Sequence, residues 1–156
     1  MEEKLQEKAV LVGLNITTNV KKIDDIDINE SMEELKELVK AAGAEVLASV
    51  IQNKPARDAA YFIGKGKVEE IRDYCHMLGA TMIVFNDELS GAHMRNIEDV
   101  TGLKVIDRTA LILDIFAQRA LSKEGKLQVE LAQLKYRLPR LYGMGGQMSR
   151  TGAGIG

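Results

Sequence analysis

The feature that most constrains this chain is an alternation. Short apolar runs rich in β-branched residues are separated by segments whose apolar residues recur at helical period. Ala9–Ile16 (AVLVGLNI) is of the first kind and has the character of a strand covered on both faces. After a polar loop, Ser31 and Glu34 stand at capping-box spacing, and Met32, Leu35, Leu38 and Val39 follow at helical period until Gly43. Ala44–Ile51 predicts a second strand and Tyr61–Ile63 a short third one. The next helix carries Val68, Ile71, Tyr74, Cys75 and Leu78 on one face and stops at Gly79. Met82–Phe85 and Leu103–Ile106 predict two more strands, with a helix between them that Ser90 caps and that runs to Val100. Recurrent strand-to-helix order with short joins implies an α/β fold, a mostly parallel sheet flanked by helices.

From Thr109 to Leu138 the pattern stays helical, with Gly125 as its weak point. Unbroken, it would form a rod of about 45 Å at about 1.5 Å per residue. Leu111, Ile112, Ile115 and Phe116 give its start a wide stripe suited to covering a sheet, whereas Leu127, Leu131, Leu134 and Leu138 form a narrow coiled-coil seam. Pro139 is expected to end the helix. The expected organisation is an α/β body over 1–107, a long helical arm over 108–141, half of a helical hairpin, and a glycine-rich basic loop over 142–156. With no second helix to cover the seam, the chain should self-associate there or fray. Six of the last 14 residues are glycine, so the sequence is expected to stop inside a loop of a longer chain.

Charge divides the chain at the same place. Residues 1–118 carry a net −7 and residues 119–156 a net +5, and no acid occurs from Leu131 to Gly156. Lys135, Arg137, Arg140 and Arg150 surround a segment containing Gly143, Gly145, Gly146, Ser149 and Gly152. Glycine lets a backbone approach a phosphate or a base, and arginine supplies forked donors and a stacking face, a combination suited to structured RNA. A flexible linker with incidental charge is the competing reading. A lone cysteine, Cys75, excludes an internal disulfide. With no signal peptide and no membrane-length apolar run, that favours the cytoplasm.

Other chemistry is weakly represented. Gly64-Lys65-Gly66-Lys67 joins a strand to a helix where amides and lysines could hold a phosphate, yet it matches neither a Walker A loop nor G-x-G-x-x-G, and a plain tight turn explains it as well. Asp25, Asp27 and Asn29 imitate the start of an EF-hand loop, but Glu30 replaces its turn glycine and Lys36 its bidentate glutamate. Cys75 and His76, adjacent on a helix, diverge. Asp87-Glu88 lies at the usual ligand edge of an open sheet and could serve acid–base chemistry. No catalytic or metal site is assigned.

Several long stretches carry a resemblance: YFIGKGKVEEI (Tyr61–Ile71), FNDELSGAHMRNIED (Phe85–Asp99), VIDRTALILDIFAQRA (Val105–Ala120), EGKLQVELAQLKYRLPRL (Glu124–Leu141) and GMGGQMSRTGAGIG (Gly143–Gly156). From about Ala9 to its last residue the chain resembles the N-terminal part of the HflX family of ribosome-associated GTPases. The resemblance implies an α/β domain, two long helices joined by a glycine-rich loop, and then a G domain. It also implies binding to the large ribosomal subunit and its rRNA through the arm, and splitting or rescue of stalled ribosomes under control of GTP. The phosphate loop, magnesium ligands and guanine-reading motif of the G domain are not in this sequence. GTP and magnesium are therefore implied for that domain, and no cofactor for these residues. A purine-nucleotide activity of the N-terminal part is also implied. The alternative to RNA binding is accordingly an ATP-binding or ATP-hydrolysing domain using Gly64, Lys65, Gly66 and Lys67.

Overall fold

A computed structural model describes residues 5–18 and 27–143. In chain order these form β1 (Lys8–Ile16), α1 (Ile28–Ala41), β2 (Glu45–Lys54), α2 (Lys65–Leu78), β3 (Met82–Phe85), α3 (Gly91–Thr101), β4 (Lys104–Asp107), α4 (Arg108–Arg119) and α5 (Lys123–Gly143). The four strands pair in the order β2-β1-β3-β4, and every pairing is parallel. The α/β class expected from the alternation is the observed one.

β1 is the central strand, and its pleat divides the core. Ala9 and Leu11 face α1 and α4, packing with Met32, Leu35, Val39, Leu111 and Ile115, whereas Val10, Val12 and Leu14 face α2 and α3, packing with Val68, Ile71, Cys75 and Ile97. Burial on both faces explains why the strand reads as an unbroken apolar run. Gly43, at φ +94°, turns the chain out of α1 in the left-handed region, as its position after the helical pattern predicts.

Several local expectations are corrected. Tyr61–Ile63 is not a strand of the sheet: Phe62 makes only an isolated antiparallel bridge with Asp58, closing a tight turn. The Asp58 carboxylate fixes this turn by accepting from the amides of Ala60 and Tyr61, and Phe62, buried at φ +65°, stands edge-on to Phe85 and His93. Aromatic β-propensity is overridden here by packing of the ring. Ser31 does not cap α1, which starts a turn earlier on Asp27, whose side chain accepts from the Asn29 amide. Ser90 does cap α3, with His93 closing the box.

The continuous rod is two helices. α4 ends where Ala120 becomes extended, and Ser122 starts α5 by accepting from the Gly125 amide at 2.9 Å. α5 then turns back along α4 and reaches α3, with Gln133 donating to Asp114 at 3.1 Å. Pro139 lies inside α5 and does not end it: only the hydrogen bond to the Lys135 carbonyl is forfeited, on an exposed face near the helix end. Phe116 and Tyr74, expected in the core stripes, are 57% and 38% exposed.

Candidate functional site

Three places could carry chemistry: the carboxyl edge of the sheet, the turn before α2, and the basic face of α5. In an open parallel sheet, ligands enter where successive crossovers depart in opposite directions. Here that point lies between β1 and β3, because the chain passes from β1 to β2 on one side and from β3 to β4 on the other.

The crevice at that point is filled by the chain's own side chains. Asn86, just after β3, donates through its amide nitrogen to Ser31 Oγ at 2.8 Å and accepts from the Arg108 guanidinium at 2.9 Å. Arg108, the first residue of α4, also pairs with Glu34 at 2.9 Å and reaches Ser31 Oγ at 3.3 Å. Asp87 accepts from the Leu14 amide at 3.2 Å, closing the ladder where β3 ends. Burial raises its carboxyl above the ordinary value of 3.8, against lowering contributions from the Leu14 amide and Arg57. Glu88 turns away to pair with Arg140 at 2.8 Å. Asp87 and Glu88 thus diverge and do not form an acid–base pair.

A second polar centre surrounds Asp107. This carboxylate is fully buried and accepts from the amides of Leu89 and Ala110, each at 3.0 Å, and from the Tyr136 hydroxyl. Burial first, and the neighbouring carboxylate second, push the Tyr136 phenol far above its usual range. Arg140 completes the group. It donates to Glu88, to the Leu89 carbonyl at 3.1 Å and to the Tyr136 carbonyl at 2.8 Å, and its Cζ lies 3.3 Å from the Tyr136 ring centre. Gly91 makes the approach possible, because a Cβ there would run into the backbone carbonyl of Arg140. Arg140, one of the residues expected to face RNA, fastens α5 to the body through these bonds. Sequence reasoning missed Asp107, Tyr136 and Ser122. Ser122 and Asp107 carry a readable signal, a capping side chain at a helix start.

The remaining expected site residues fall into two groups. Lys135 and Arg137 are exposed on α5, and Gly143 is its last residue. Gly145, Gly146, Ser149, Arg150 and Gly152 lie outside the described residues. Gly64 is the N-cap position of α2, and its amide is taken by Gln52 Oε1 at 2.9 Å. Lys65 and Gly66 open the helix without a side-chain cap, and Lys67 pairs with Glu70 at 3.1 Å. Among the described residues no cluster of three or more His, Cys, Asp or Glu side chains could hold a metal, and no helix is long and apolar enough to cross a membrane.

Comparison with known proteins agrees with this architecture. Residues 29–117 match the family described as GTP-binding GTPase N-terminal, and residues 119–156 match the GTP-binding GTPase Middle Region. GTPase HflX of Caldanaerobacter subterraneus is 52% identical over 97% of this chain, and that of Escherichia coli K12 43% identical over 96%. The chain spans only 33% and 34% of those two proteins, about a third of their length. A GTP-binding protein from the archaeon Sulfolobus solfataricus, solved in complex with GDP, is 27% identical with a TM-score of 0.66, over 90% of this chain and 40% of that one. The chain therefore belongs to the HflX family of GTPases and corresponds to their N-terminal and middle regions.

Proposed function

We propose that this chain is the ribosome-engaging N-terminal part of an HflX-type GTPase, acting in the cytoplasm on the large subunit and its rRNA. The observation that carries the reading is the separation of charge on α5. Lys135 and Arg137 are exposed in a stretch without acids, while Arg140 is consumed in holding the helix to an acidic body. In this reading Lys135, Arg137 and Arg150 contact RNA phosphates, and Gly143, Gly145, Gly146, Ser149 and Gly152 allow the backbone a close approach. Arg140 orients the arm. Splitting or rescue of stalled ribosomes requires GTP, and the site for GTP and magnesium is assigned to the part of the family's length that this chain does not span. The described residues do not fit that role, having neither a phosphate loop nor a metal cluster. The exposed Leu127–Leu138 seam is assigned to a second arm helix in the longer chain.

The test is large-subunit binding over a salt series. Lys135→Ala with Arg137→Ala should weaken binding and reduce the log–log salt slope by about one per charge removed. An unchanged slope and affinity would remove the arm from the interface. The second reading, ATP held at Gly64–Lys67, has one observation in its favour: α2 begins without a side-chain cap and with Lys65 and Lys67 in its first turn. Calorimetric titration with magnesium and ATP should give heat that Lys65→Ala with Lys67→Ala abolishes. An absence of heat excludes it.

A further inference from the structure

The two edges of the sheet are unlike. β4 is four residues long, and brevity protects an edge. β2 is ten residues long and, among the described residues, pairs with nothing on its outer side. The thread of hydrogen bonds shows which groups are left over. The Lys54 carbonyl accepts from the Thr17 amide at 2.8 Å, so it points toward β1, and alternation turns the amides and carbonyls of Ser49, Ile51 and Asn53 outward. Between Val46 and Asn53 the strand has no charge and no proline, and its aliphatic side chains are only half-buried. The devices that normally blunt an edge are thus missing from its middle. Its one irregularity, near Val46 and Leu47, lies at the start.

We propose that β2 is a self-association edge, on which a second copy of this chain pairs its own β2 antiparallel about a two-fold axis near Val50. Ser49 of one copy then exchanges backbone hydrogen bonds with Ile51 of the other, both being outward-facing residues. The strand's charges select this occupant and this direction. β2 opens with Glu45 and closes with Lys54, so antiparallel self-pairing brings the acid of one copy, to within one residue, opposite the base of the other at both ends. Parallel self-pairing would align like with like. The two-fold arrangement also closes on itself, consuming both long edges and leaving only the short β4 edges outside.

Sedimentation equilibrium of the 156-residue chain over a concentration series tests this. A monomer–dimer equilibrium is expected. Glu45→Lys, which sets lysines together at both ends, should weaken it about ten-fold, and Glu45→Lys combined with Lys54→Glu should restore it. Ser49→Pro removes an outward amide without touching the ladder to β1 and should abolish the dimer. If that variant does not fold, the charge swap decides. A monomer at every concentration overturns the proposal, as it would if the edge served a strand of another protein. So does a dimer indifferent to Glu45→Lys, or one lost on changing Leu131 and Leu134 to Gln, which would place the contact on α5.

Discussion

Asp87 shows how a single side chain can work against the fold that places it. Its carboxyl is raised by burial, so between 3.8 and the raised value the folded chain binds more protons than the unfolded one. Stability therefore falls as the pH climbs through that interval. Asp87→Asn keeps an acceptor for the Leu14 amide and removes the charge. Its denaturation midpoint should gain on that of the parent as the pH rises from 3 to 7, and parallel curves would contradict this. At this scale the sequence was readable only in part. Ser31 and Ser90 both precede helical patterns at capping spacing, yet only Ser90 caps. Asp27 had already started α1 one turn earlier, and the Ser31 hydroxyl is claimed by Asn86 and Arg108, the latter 77 positions along the chain. No local rule encodes partners so distant in sequence.

At the scale of elements, the four strands of the sheet and the first three helices followed from apolar runs and periodicity, whereas Tyr61–Ile63, read in the same way, is a turn. α4 and α5 did not follow, because two helices with a three-residue break and one long helix share the same apolar spacing. Only the extended Ala120 and the capping Ser122 distinguish them. What settles the direction of α5 is the polar group at its far end. Arg140→Ala removes charge-assisted bonds of about 1.5–3 kcal/mol each, partly screened where Glu88 is exposed. Amide exchange within α5 should quicken at least ten-fold while β1 and β3 stay protected. Unchanged exchange would mean that Arg140 does not hold the helix.

At the scale of the whole molecule, apolar residues perform two different tasks. Leu111 lies in the core under α4, whereas Leu131 and Leu134 stand about half exposed on α5. Leu111→Ala should cost about 2–4 kcal/mol in urea unfolding, and Leu131→Gln with Leu134→Gln less than about 1 kcal/mol together. Equal costs would show that the seam is packed within the monomer. The central place of β1 also has a consequence in time. It is bonded on one side to a strand that begins at Glu45 and on the other to one that begins at Met82. During synthesis the β1-α1-β2 half can close as soon as Lys54 has emerged. The other flank of β1, with Val10 and Val12, then stays unsealed until Phe85 follows. For that interval the chain is a two-stranded sheet with both edges raw, the β1 edge among them, and this is the stage at which a chaperone has most to shield.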